Sequence, residues 1–235
     1  RLPVVVQTWL DGAVLSGPPG TDADWRALIA HFRAIHGITP QSCRLALRDA
    51  VTTATSGAEG KALIADHAAL LPIAARPAAL QRLLERCAAW EPPIWPTPKP
   101  ALCRVDPSWH NLIRRPHGWA SVDWENSGWS DPAFEVANLI THPAYAAVST
   151  ERWTWVIAAY AQTTAGALHT RIATYVVLLR IWWAIRWART LYEVPRGQDQ
   201  RLVPRDAGWQ AHAEAMLVQA LDRAEQALAG ASPHL

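Results

Sequence analysis

The sequence predicts an α+β fold that is predominantly α, and three observations carry that prediction. Apolar residues recur at helical spacing over most of the chain, almost without interruption from Pro132 onward. Short strand-like stretches are confined to the start and the middle, where Pro116-His117-Gly118 separates two of them. Half of the 235 residues are hydrophobic and 18% are charged, which is ample for a real core and too apolar for a disordered chain.

The elements follow in order. Val4–Trp9 is apolar and β-branched and reads as a strand, ended by a turn at Leu10-Asp11-Gly12. Thr21 caps a first helix, in which Trp25, Leu28, Ile29, Phe32 and Ile35 form one buried stripe. A second helix is expected over 60–70. A third starts at Pro77, a favoured first helical position, with Leu80, Leu83, Leu84 and Cys87 on one face. The segment 91–100 carries prolines at 92, 93, 96, 98 and 100, so it is extended and neither helix nor central strand. Ala101–Val105 is a short strand, and Leu112–Arg115 with Trp119–Val122 forms a hairpin. Helices are expected over 132–141, 150–164, 167–192 and 206–229, the last stopped by Gly230 as a C-cap.

Composition narrows the function classes. Twenty-two Lys and Arg against 20 Asp and Glu leave a net charge of +2, which is no footprint for nucleic acid. Three cysteines, Cys43, Cys87 and Cys103, are odd in number and form no CxxC pair, which fits a reducing cytoplasm. The 14 tryptophans read as core and helix-interface residues. The most apolar late segment, 172–187, is interrupted by Arg180 and Arg186 and falls short of the about 20 apolar residues of a membrane span.

Chemistry concentrates in Cys103-Arg104-Val105-Asp106-Pro107-Ser108-Trp109-His110-Asn111 and in Ser121-Val122-Asp123-Trp124-Glu125. A hairpin centred on His117 sets Asn111 opposite Asp123, because residues equidistant from a turn face each other. An amide oxygen and a carboxylate would then meet at the hairpin's open end, a hard-oxygen pair suited to Mg²⁺ with phosphate and water. Asp106, at the end of the preceding strand, would reach the same space. Phosphoryl transfer from ATP needs such a set: a metal on the phosphates and an aspartate on the acceptor hydroxyl.

Three blocks in order, Asp106-x4-Asn111, Val122-Asp123-Trp124-Glu125 and Gly128-Trp129-Ser130-Asp131-Pro132-Ala133-Phe134-Glu135, resemble the aminoglycoside phosphotransferase/choline kinase-like family. Its members show HGDxxxxN, then IDFE or IDWE, then a GDPA-type segment opening a helix. The resemblance implies the C-terminal lobe of a protein-kinase-like fold, with the N-terminal lobe absent. It puts the last strand of that lobe and the hinge in 1–12, and the helical catalytic lobe in 13–235, its catalytic loop and metal hairpin in 101–125. By the same likeness Asp106 is the catalytic aspartate, Asn111 and Asp123 are magnesium ligands, and Gln7, Thr8, Trp9 and Leu10 contact the nucleotide. Asp131 caps the helix at Pro132. Arg104 and Glu125 are candidates to stand behind the site or touch substrate, with a plain surface position equally open for Glu125.

The implied activity is transfer of the ATP γ-phosphate to a hydroxyl of a small molecule, with Mg²⁺. The alternative is a non-catalytic pseudokinase or ligand-binding remnant of that family. Two departures bear on the choice. The family's His-Gly before the aspartate is Arg104-Val105 here, and a valine implies that this position does not need positive φ. The chain does not begin with Met, and a glycine-rich loop, a strand lysine and its glutamate partner would precede residue 1. An N-terminally truncated chain is therefore expected to transfer phosphate poorly by itself. Arg114 and Arg115, like Arg171, Arg186 and Arg189, are expected to be solvated. Glu193, Asp199, Asp206 and Glu214 could line a site for a cationic acceptor.

Overall fold

The computed structural model describes residues 10–116, 118–161, 165–199 and 205–231. The strand expected over Val4–Trp9, the nucleotide contacts Gln7, Thr8 and Trp9, and the turn residue His117 lie outside these. Strand β1 (Ala13–Val14) leads to helix α1 (Asp22–His36), where the Thr21 hydroxyl accepts from the Asp24 amide at 3.1 Å and the expected five-residue stripe is buried. Helix α2 (Gly57–Ala69) begins earlier than expected. Ser56 caps it by accepting from the Glu59 amide, and Glu59 reaches back to the Thr55 amide at 2.7 Å, a capping box in slightly shifted form. Helix α3 (Ala78–Ala89) takes Pro77 as its N-cap residue. The proline-rich stretch that follows has no regular structure.

Strand β2 (Ala101–Cys103) opens the central region, followed by β3 (Leu112–Arg115), β4 (Gly118–Ser121) and β5 (Gly128–Ser130). The sheets have order β1-β3-β4 and β2-β5. Strand β5 was not foreseen, because Gly128 weakens any strand pattern. The glycine is needed there: a Cβ would lie 2.4–2.5 Å from backbone atoms of Arg48, Asp49 and Ala50, which cross the strand. The hairpin is where expected, but its register differs. Arg115 pairs with Gly118 and Leu112 with Ser121, so two residues connect the strands and the symmetry axis falls before His117. Asn111 consequently faces Val122, whose amide donates to the Asn111 carbonyl at 3.0 Å, and not Asp123. A one-residue slip of this kind reverses which face a side chain occupies.

Helices α4 (Pro132–Thr141), α5 (Thr150–Ala161), α6 (Ala165–Glu193) and α7 (Trp209–Ala231) complete the fold. Gly230 lies inside α7 and does not stop it. With 29 residues, α6 is about 44 Å long and runs through the main core. Ile172, Tyr175, Leu178, Ile181, Ile185 and Ala188 are buried along it against α2, α4 and α7. A second core joins α1 to α5 through Trp25, Tyr145 and Trp153, with the Trp25 and Trp153 rings edge to face at 5.4 Å. All three cysteines are free. No helix among the described residues is long and apolar enough to cross a membrane.

Several surface expectations change. Arg171 pairs with Asp131 at 3.0 Å, Arg189 with Glu193 at 2.5 Å, and Arg186 with Glu193 at 3.8 Å, so these arginines are not simply solvated. Arg114 and Arg115 are exposed, the former with Asp24 at 3.0 Å. The four acidic residues proposed for a cationic acceptor are engaged elsewhere. Glu193 holds those arginines, Asp199 pairs with Arg205, Asp206 accepts from the Gly208 amide, and Glu214 accepts from Gln210.

Candidate active site

The site is built where the β2 and β4 strand ends meet the start of α4. Asp131 caps α4 by accepting from the Ala133 amide at 3.0 Å, as the sequence implies. That cap fixes the first turn, which carries Glu135 fully buried. Burial pushes the Glu135 carboxyl up, but the His36 hydrogen bond and charge, the Arg104 charge and the Val105 amide together bring it below its ordinary value. One oxygen accepts the backbone N–H groups of Arg104 at 2.9 Å and Val105 at 3.1 Å. The other accepts from His36 Nε2 at 2.7 Å.

This carboxylate explains Val105. Its φ is +72°, so the position does require the left-handed region, contrary to the expectation from its side chain. A β-branched residue there costs on the order of 1–3 kcal/mol. The conformation is over-determined by Glu135 on the Val105 N–H and by Asn138, whose amide donates to the Val105 carbonyl. Val105→Gly should therefore be more stable than Val105→Ala by about 1 kcal/mol, the reverse of the usual order. Urea unfolding of the two variants measures this, and an Ala variant equal or superior to Gly would show that no strain resides there.

Arg104 is 1% exposed and acts as a strut. Its guanidinium donates to the Val122 carbonyl at 2.6 Å and to the Asp106 carbonyl, tying the two polar loops together. Burial lowers its proton affinity, and Glu135, Asp106, Tyr145 and Asp123 oppose that shift. Beyond the strut, Asp106 accepts from the Ser108 amide at 3.2 Å and from the Asn111 side-chain amide at 3.0 Å. The Tyr145 hydroxyl holds the same loop by donating to the Pro107 carbonyl at 2.9 Å.

Asp106 also lines a cavity of about 330 Å³, together with Thr52, Asn138, His142, Trp182 and Trp183. His142 Nδ1 accepts from the Ala144 amide, which leaves Nε2 facing Asp106 at 3.8 Å, too long for a hydrogen bond. Burial lowers the His142 pKa to about 4, and that of His67, stacked on Trp182, to about 3. Both rings are neutral when folded and take a proton near pH 6.5 when unfolded. At these two rings the unfolded chain thus binds more protons between about pH 4 and 6.5, so they make stability rise with pH across that window, against an opposing contribution from Asp131, whose carboxyl burial pushes up. With each tenfold change in proton affinity worth about 1.4 kcal/mol, the gain should be several kcal/mol. Denaturant midpoints across that pH range measure it; a flat profile would refute the burial of both rings as neutral groups.

Asp106 and Asn111 are thus brought together, as expected. Asp123 is exposed, with φ +63°, beyond the end of β4 and near enough to Arg104 to favour its charge. No hydrogen bond occupies its carboxylate or the Asn111 carbonyl oxygen among the described residues. The Asn111 amide oxygen beside Asp106 and the open Asp123 carboxylate fit Mg²⁺ by donor chemistry, although the hairpin register does not set the two opposite each other. Glu125 is exposed, and among the described residues only its backbone carbonyl is engaged, by Arg48 at 2.6 Å. Leu10, at the start of the described chain, is half-buried.

Reading the sequence missed Glu135, Asn138, His36, His142 and Tyr145 as organisers of the site. A signal existed for the first two. They lie three apart on the otherwise apolar helix Pro132–Thr141, where a buried charge demands partners. His36, Cys103 and Glu135 place possible metal ligands within 4.8 Å of one another. Burial and the adjacent Glu135 raise the Cys103 thiol well above its ordinary value, so it stays protonated and ligates poorly.

A helical body, two small sheets and this aspartate–asparagine loop define a kinase-like fold. Residues 1–175 match the model of the phosphotransferase enzyme family, and the chain belongs to that family. Similar solved structures include a choline/ethanolamine kinase family protein from Mesorhizobium loti (18% identity, TM-score 0.58, 89% of this chain and 66% of that one). A candidate aminoglycoside phosphotransferase from Ralstonia eutropha is 15% identical, with TM-score 0.64 over 96% of this chain and 72% of that one. The choline kinase LicA from Streptococcus pneumoniae is 18% identical, with TM-score 0.52 over 88% of this chain and 64% of that one. The chain thus spans a little under two thirds of the length of the choline kinase-type structures. No curated protein matches it.

Proposed function

We propose that the chain carries the catalytic half of an ATP-dependent phosphotransferase that moves the γ-phosphate to a hydroxyl of a small molecule. The carrying observation is Asp106, held by the Asn111 amide and presented to a cavity of about 330 Å³. In this reading the acceptor enters that cavity between Trp182, Trp183 and His142. Asp106 orients its hydroxyl and takes the proton as the new P–O bond forms and the bond to ADP breaks. Asn111 and Asp123 would hold Mg²⁺, which when bound neutralises and orients the phosphates. Arg104 keeps the Asp106 and Asp123 loops at fixed spacing. Residues around Gln7, Thr8, Trp9 and Leu10 would contact the adenine, and a cytoplasmic location suits the free thiols.

Relatives supply the class of chemistry. Solved structures similar to the chain carry AMP, GDP with kanamycin, or ADP with spectinomycin. The non-catalytic alternative rests on Arg104 and on the N-terminal lobe that the resemblance puts upstream of residue 1; of these, Arg104 has a supporting place in the loop, which favours the catalytic reading. A phosphate-acceptor screen of the full-length protein with ATP and Mg²⁺ tests it; no acceptor among amino alcohols, aminoglycosides and sugars would argue for the pseudokinase. For the metal, ATP with Mg²⁺ should raise the Tm of the full-length protein, and Asp123→Asn should remove most of the magnesium-dependent part. Equal shifts in wild type and variant would reject Asp123 as a ligand.

A further inference from the structure

A second cavity, of about 530 Å³, opens beside His36 at the end of α1 and Pro132 at the start of α4. Arg33, Lys99 and Arg171 line it, with His36 and Tyr160 among its polar walls and Leu168 among its apolar ones. It shares no lining residue with the cavity beside Asp106. The polar walls are already satisfied: His36 bonds Tyr160 at 2.6 Å and Glu135 at 2.7 Å, and Arg171 neutralises buried Asp131. Arg33 and Lys99 are different. Both are exposed, and neither side chain takes part in an ion pair or hydrogen bond among the described residues. The residues outside the described ones include no Asp or Glu to pair with them.

We propose that this cavity is a separate binding site for a small organic phosphate. Two unpaired cations beside a third, neutralised one match a phosphomonoester, which carries about −1.5 to −2 charges at neutral pH. Guanidinium and ammonium groups suit its three oxygens. The volume exceeds what phosphate alone needs and lies within the roughly 300–1,000 Å³ of small-molecule sites, and the apolar wall would take the organic body. His36, in its wall, bonds the buried Glu135 that holds the Arg104 and Val105 amides.

Calorimetric titration of the full-length protein with phenyl phosphate tests this, with inorganic phosphate and phenol as controls. Saturable one-to-one binding is expected, at least tenfold tighter than inorganic phosphate, with no response to phenol. Replacing both Arg33 and Lys99 by Ala should weaken it at least tenfold without altering the Tm, since both side chains are exposed. Asp123→Asn should leave it unchanged, which separates this site from the proposed magnesium site. Absence of saturable binding, or an affinity that the double variant leaves intact, overturns the assignment.

Discussion

Asp106→Asn is expected to lower kcat for phosphoryl transfer in the full-length protein by about 10²–10⁴-fold, the usual worth of a positioned general base. The substitution is nearly isosteric. An amide oxygen can keep one of the two bonds, from Asn111 or from the Ser108 amide, and with Asp106 already about a third exposed the loss of the other should cost about 1 kcal/mol. ATP affinity should change little, because the proposed metal ligands Asn111 and Asp123 remain. The expected signature is a collapse in kcat with a near-constant KM for ATP and an intact nucleotide-induced Tm shift. A kcat within tenfold of wild type would remove Asp106 from the catalytic role.

Much of this arrangement was legible in the sequence, and the failures have physical causes. The stripe Trp25, Leu28, Ile29, Phe32 and Ile35 predicted α1 because a 3.6-residue period has one buried solution. Asp131 before Pro132 predicted α4 to the residue, since cap and proline both act locally. The hairpin was readable, but its register was not: a two-residue and a three-residue turn both suit Pro116-His117-Gly118, and a strand paired over four residues gives the pattern little to work with. Long-range polar contacts were invisible for another reason. Glu135 meets His36 across 99 positions of sequence, and nothing local to either residue signals the other. Val105 misled because side-chain preference is a local rule, overridden here by hydrogen bonds arriving from α4.

Those same contacts make Arg104 the position with the largest expected effect on stability. Arg104→Met keeps the length of the side chain and removes three things at once: the donor to Val122, the donor to the Asp106 carbonyl, and the cation that stabilises buried Glu135. Glu135 keeps its partner His36, so the cost falls mainly on the two carbonyls left without their donor, about 1–3 kcal/mol each, because each keeps its desolvation penalty. That is a large fraction of the about 5–15 kcal/mol available to a domain. Arg104→Lys should lose less, since the charge stays while the fork that reaches two carbonyls is gone. The ranking wild type, Lys, Met in urea midpoint is the first outcome to check. A second separates the strut from a mere packing role. Part of the loss from Met at 104 should be recovered when Glu135 is also replaced by Gln, because the neutral amide no longer misses the nearby Arg104 charge and its oxygen can still accept from the Arg104 and Val105 backbone sites. Additive losses in the double variant would mean that Arg104 and Glu135 act independently and that the guanidinium serves only its two carbonyls.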